Sequence, residues 1–306
     1  RGDRRVIRSP QVQAMDSLLL RALQMDPFLH PGLDDILLLE WIKADWAQYI
    51  RQTGDWADEN TMQQIVQEVS GRDPSLAASL ANSRGRFTEA LDYWGRQARR
   101  SRHNARLRVL RARAFYLTGN YDSARTEMQS ALDMARRRDA DSISFFYESK
   151  SAWEYSLGQI LDRLGNVTGA RGAFERSLIE DLSYYPAHVQ LGMLHIGRAD
   201  TAAALREFER AVISREDEYL PRVTYAYFLA NSGRPDSAAV QLRRAIELEP
   251  WAAPPRLMLG AVLDRKGDAA GALAAFEGFI AQAPRNDQDL ASVRARVAQL
   301  RTARRP

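Results

Sequence analysis

From about Pro10 onward the apolar residues recur three and four positions apart, the spacing of one face of a helix, and strand-like alternation is missing. Residues 10–25 predict a helix with Leu18, Leu19, Ala22 and Leu23 as its stripe, stopped by Asp26-Pro27. Residues 33–52 predict a second. Leu37, Leu38, Trp41, Ile42, Trp46, Tyr49 and Ile50 make it apolar over more than half its circumference, as in a helix sandwiched between neighbours. After a turn at Thr53-Gly54-Asp55-Trp56, Met62, Ile65, Val66 and Val69 share one face. At the other end Leu290, Val293, Val297 and Leu300 form the stripe of a last helix.

Between Ser151 and Pro284 this pattern repeats every 34 residues. Gly158, Gly192, Ala226 and Gly260 form one ladder of small residues, and Ala170, Ala204, Ala238 and Ala272 a second. Phe174, Phe208, Leu242 and Phe276 form a large apolar ladder. Each repeat reads as two helices and a tight turn. The small residue of Leu259-Gly260-Ala261 lets the second helix approach. Gly267 ends the first helix in a left-handed conformation, and Asp268 caps the second. The register extends backwards through Ala112, Gly119, Ala124 and Met128 to Ala78, Gly85, Ala90 and Trp94.

Self-similarity at this period marks a helical repeat array. The pattern Leu-Gly, Gly, Ala, Phe, Pro is met most fully at Leu157-Gly158, Gly165, Ala170 and Phe174, and again at Leu259-Gly260, Gly267, Ala272, Phe276 and Pro284. It resembles the tetratricopeptide repeat family; Ala199 in place of the turn glycine and the missing early tryptophan are departures. The resemblance implies an all-α fold, a right-handed superhelical solenoid of antiparallel helix pairs. Residues 1–9 are then a basic arm expected to be disordered. Residues 10–70 are an N-terminal cap with a degenerate repeat, residues 71–286 six repeats, and residues 287–306 a capping helix and tail. The ladder slips by twelve residues before Gly158, which places an insertion near 139–150. With Asp141 or Ser142 as N-cap, the expectation is a lengthened first helix in the third repeat. Its Phe145 and Phe146 would cover a neighbouring helix or a partner. Trp46 and Trp56 carry the same two readings, core or docking surface.

The lack of cysteine excludes thiol catalysis, disulfides and cysteine-ligated metal within this chain, and is compatible with a periplasmic or extracellular setting without excluding the cytoplasm. No apolar run approaches the ~20 residues that cross a bilayer. The first residue is Arg1, so a signal peptide, anchor or further domain upstream is an open expectation. Only Lys43, Lys150 and Lys266 are lysines among 43 basic residues, an arginine bias expected of a GC-rich bacterial gene. Net charge is only +4, so the placement of charge matters more than its total.

No nucleophile, base and oxyanion site assembles from this sequence, so no catalytic residue, cofactor or metal site is assigned and no enzyme activity is expected. His188 and His195, seven apart on one helix, read as packed imidazoles; His30 and His103 have no evident partner. The glycine-rich stretches at Gly165–Gly169 and Gly267–Gly271 lack the Lys-Ser/Thr of a phosphate loop and are repeat turns. Glu216-Asp217-Glu218 reads as the cap of the helix that follows.

In the family the first helix of each repeat lines a concave groove. Carried over by position, the groove residues here are Arg72, Ser75, Ser79 and Asn82, then Arg106, Val109, Arg113 and Tyr116. Tyr155, Gln159 and Asp162 follow, then Val189, Met193, Val223 and Tyr227. This line is polar and basic first and apolar later, as suits an extended peptide with acidic and apolar groups. Arg106 and Arg113 match the family's carboxylate clamp only in part. Arg96, Arg99, Arg100, Arg102, Arg106, Arg108, Arg111 and Arg113 crowd into a stretch without an acid. That cluster is a solvated face partly neutralised by a neighbouring helix, a contact for an acidic protein, or a site for nucleic acid or anionic lipid. Missing aromatic interleaving disfavours nucleic acid. The function expected is a non-enzymatic scaffold holding a protein partner within a larger assembly. The rival is the recognition segment of a larger enzyme or transcription regulator.

Overall fold

A computed structural model describes residues 87–100, 104–141, 149–283 and 287–303 of the 306-residue chain. Every element among them is an α-helix. The basic arm, the predicted N-terminal cap with Trp46 and Trp56, the groove positions Arg72, Ser75, Ser79 and Asn82, and the Phe145-Phe146 pair all lie outside the described residues.

The described helices fall into two compact units, one ending at Glu180 and one beginning at Asp181. The N-terminal unit contains α1 (Phe87–Arg100), α2 (Ala105–Leu117), α3 (Tyr121–Asp141), α4 (Ser151–Arg163) and α5 (Val167–Glu180). α2 packs against α3 and α4 against α5 as antiparallel pairs, with α1 on α2 and α3 on α4. The C-terminal unit repeats this with α6 (Tyr185–Ile196) and α7 (Thr201–Ser214), α8 (Tyr219–Asn231) and α9 (Pro235–Leu248), and α10 (Pro254–Lys266) and α11 (Ala269–Gln282). α12 (Leu290–Ala303) lies on α11 and buries Leu290, Val293, Val297 and Leu300. Its described outward positions, among them Arg294, Arg296 and Arg301, are exposed, so it ends the apolar stack with a polar face.

The ladders of small and large residues are the two sides of one contact. A methyl group on Gly158, Gly192 or Gly260 would stand closer than 3.0 Å to the ring of Phe174, Phe208 or Phe276 respectively. Each glycine therefore seats the phenylalanine of its own second helix, and all three rings are buried. Where the first helix carries Ala226 or Ala112, the second carries the slimmer Leu242 or Met128, also fully buried. Packing volume is conserved within the pair.

Turns follow the same economy of residue types. The residue between the paired helices is left-handed throughout, at Gly119, Gly165, Gly233 and Gly267 and also at Ala199, where φ is 58°. Asn104, Asp200 and Asp268 accept hydrogen bonds from the backbone N–H three residues on, capping α2, α7 and α11.

One expectation is corrected. The insertion does not lengthen the first helix of the third repeat, since α4 has 13 residues and begins at Ser151. It lengthens the preceding second helix. α3 runs for 21 residues, whereas α1, α5, α7, α9 and α11 have 14 each, and Asp141 is its last residue instead of an N-cap. Among the acids before α8, Glu218 stands at the N-cap as expected, without a side-chain capping bond, and Arg215 binds Asp217 at 3.2 Å and Glu218 at 3.0 Å.

Candidate functional site

In the C-terminal unit the first helices approach one another across repeats, α6 touching α8 and α8 touching α10. The ninth position of a repeat projects from this row. At α6 it is Met193 and at α8, 34 residues on, Tyr227, with 46% and 51% of their surfaces exposed. Val189 and Val223, one turn earlier, are half-buried beside them. Two large apolar side chains in register on adjacent helices form an apolar step that the core does not cover. Behind it, Phe228 turns inward and stacks on Phe208 with ring centroids 4.3 Å apart.

The groove positions carried over in the N-terminal unit, of which Arg113 and Gln159 are the ninth positions, are built differently. Arg106 is exposed, and Arg113 and Gln159 are half-buried. Tyr116 and Tyr155 are buried. Tyr116 packs edge-on against Tyr121 and accepts a hydrogen bond from Arg163 Nε at 3.2 Å, tying α2 to α4. Tyr155 leans on Phe174 and accepts from Gln159 Nε2 at 3.1 Å. Their rings serve the helix stack and present no broad surface to a partner.

The basic run divides in two. Arg108 and Arg111 turn towards α3, where they bind the two oxygens of the buried Glu127 at 3.0 and 2.8 Å. Arg96 pairs with Asp92 one turn back along α1. Neutralisation by a neighbouring helix thus accounts for part of the run. Arg99 and Arg100, at the end of α1, stay exposed. Arg102 lies outside the described residues.

The Arg108–Glu127 bridge is one rung of a ladder that reading for apolar positions missed. Its 19-residue spacing recurs in His188–Glu207, with Nδ1 2.8 Å from Oε2, and in Arg222–Gln241, at 3.1 Å. Burial acts to raise the Glu207 carboxyl, but the hydrogen bond with His188 and the charge of Arg210 outweigh it and hold that carboxyl below the usual range. His188 is therefore a brace between α6 and α7.

At the α3–α4 junction the same brace position holds Glu154, only 1% exposed. Arg136 of α3 and Arg176 of α5 grip its two oxygens, the latter at 3.0 Å. Burial pushes the Glu154 carboxyl up against the pull of both guanidiniums. Beside it the buried Lys150 sets its ammonium 2.6 Å from Asp139 and 3.6 Å from Glu180. The hydrogen bond from Lys150 holds the Asp139 carboxyl below the usual range. Ser177 Oγ donates to the carbonyl of Ser151 at 2.8 Å. These residues fix the two added turns of α3 to the next helix pair. Among the described residues no three metal-ligating side chains gather, and no helix is long and apolar enough to cross a membrane.

Helix pairs of this length, seated on small-to-large contacts and closed by left-handed turns, define a helical repeat array. The tetratricopeptide repeat family model matches residues 76–143. The part of a TPR repeat-containing protein of Cytophaga hutchinsonii that has been solved is similar over 76% of this chain and 89% of its own, with TM-score 0.58 and 16% identity. Yeast Tom70 is similar over 71% of this chain and 44% of its own, with TM-score 0.56 and 15% identity. Pseudomonas aeruginosa pilF is similar over 65% and 85%, with TM-score 0.51 and 12% identity. No curated protein sequence matches. Residues 76–143 thus match the tetratricopeptide repeat family, and the described helices share the fold of solved tetratricopeptide repeat proteins.

Proposed function

We propose that this protein is a scaffold that holds a partner protein on the row of first helices of the C-terminal unit. Repeats of this family are generally non-enzymatic protein-binding scaffolds. The observation that carries the reading is the paired exposure of Met193 and Tyr227, 34 residues apart on adjacent first helices. Both sit where side chains are free of packing duty, while their neighbours Leu191 and Ala226 are buried. An extended segment crossing α6 and α8 would place apolar side chains against Met193 and the Tyr227 ring, and the Tyr227 hydroxyl would keep one polar contact.

The test is affinity capture from the source organism with wild type, Met193→Glu/Tyr227→Glu and Val240→Glu, the last an exposed site on a second helix. Support is a partner kept by wild type and Val240→Glu and lost by the double variant, all three having equal helicity. A partner kept by the double variant contradicts the proposal.

A further inference from the structure

We propose that the two added turns of α3, with the end of α1, form a basic docking edge for an acidic segment of a partner protein, distinct from the apolar row of first helices. A second helix of this array needs 14 residues to complete its packing, as five of the six show. α3 continues for seven more, about 10 Å. Those turns are held in place from one side by Arg136 on Glu154 and by Asp139 on Lys150. Burying these charges costs desolvation that a bare helix end would avoid, so the extension is held rigid at an energetic cost that repeat packing does not demand.

What the anchored turns present outward is Arg137 and Arg138. Arg137 is exposed, and the Arg138 side chain is 56% exposed where it reaches Asp139. Second helices run parallel, so the C-terminus of α1 opens on the same edge one repeat away, with Arg99 and Arg100 exposed there. Of the nearby acids whose side chains are described, Asp133, Asp139 and Glu180 face Arg136 and Lys150, so their charge is engaged within the anchor. The edge therefore carries positive charge on a fixed frame. Guanidiniums on such a frame bind carboxylates as forks with little loss of side-chain freedom. An acidic peptide is favoured over a nucleic acid because the large apolar side chains exposed among the described residues of this unit are Val167 and Ile179, neither able to stack on a base.

The test is fluorescence anisotropy with a labelled oligo-glutamate peptide, a labelled oligo-deoxythymidine and phosphatidylserine vesicles as alternative probes. Wild type binds the peptide at low salt, and Arg137→Glu/Arg138→Glu and Arg99→Glu/Arg100→Glu each weaken it roughly ten-fold or more. Arg243→Glu/Arg265→Glu, exposed arginines of the C-terminal unit, and Met193→Glu/Tyr227→Glu bind the peptide like wild type. Glutamine variants at the same four edge positions repeat the loss should a reversal disturb folding. Peptide affinity unchanged by the edge variants, no peptide binding by wild type, or tighter binding of the oligonucleotide or vesicles overturns the proposal. Because Met193 and Tyr227 do not enter this binding, the edge and the first-helix row stand or fall separately.

Discussion

A methyl group decides much at the residue scale. Gly192 has no room for one against Phe208, so Gly192→Ala is expected to cost about 1–3 kcal/mol by overpacking. Adding Phe208→Leu should recover part of that loss, because the combination is the one the chain already uses at Ala226 and Leu242. A denaturant double-mutant cycle measures the coupling, and additive losses would show that the two residues do not share one volume. Ala199 offers the opposite case. Its φ of 58° costs a side-chain-bearing residue roughly 1–2 kcal/mol, and a glycine there loses part of the gain to chain entropy. Ala199→Gly is therefore expected to stabilise by about 0.5–1 kcal/mol, against a loss if the turn is unstrained. The size ladders and the turn positions were legible in the sequence because both depend on residue type alone. Their coupling was not, since it needs to be known which ring points at which glycine.

At the scale of the element, α3 shows where reading by periodicity stops. The twelve-residue slip located an insertion, but register counts residues and does not say which side of a break stays helical. Arg136 and Asp139 extend α3 because Glu154 on α4 and Lys150 at its N-cap are waiting, and these contacts reach from α3 to the next helix pair. Charged residues at brace positions look like surface until their partners are seen, which is why the 19-residue ladder stayed hidden. Lys150→Met leaves Asp139 and Glu180 without their buried cation. It should destabilise the N-terminal unit by about 3 kcal/mol and speed hydrogen exchange in the last two turns of α3 before the rest. Acid should do the same. Asp139 has its carboxyl held below the ordinary value, so its contribution is present above the unfolded aspartate pKa of about 4 and is lost as pH falls through the lower folded value. In Lys150→Met this particular acid step should disappear; its persistence would place the pH sensitivity elsewhere.

At the scale of the whole molecule, the repeat fold and its helix pairs were legible from three ladders, and the exposure of the candidate site's residues only in part. Tyr227 and Met193 were placed on the first-helix face by register and are exposed there. Tyr116 and Tyr155, at the twelfth and fifth positions of their repeats, are buried, and their hydroxyls accept hydrogen bonds from Arg163 and Gln159. The groove series as a whole therefore does not share one exposure; the position within the repeat and its neighbours decide it. The Arg96–Arg113 run likewise looked uniform along the chain and divides in space, Arg108 and Arg111 bracing Glu127 while Arg99 and Arg100 remain outside.

The central claim, that a partner protein lies on the row of first helices, is most directly tested by photo-cross-linking. A benzophenone side chain at 193 or at 227 should capture the same partner, and one at 240, on the second helix α9, should capture none. Adducts from 240 with none from 193 and 227 would contradict the account and move the contact to the opposite side of the helix pairs.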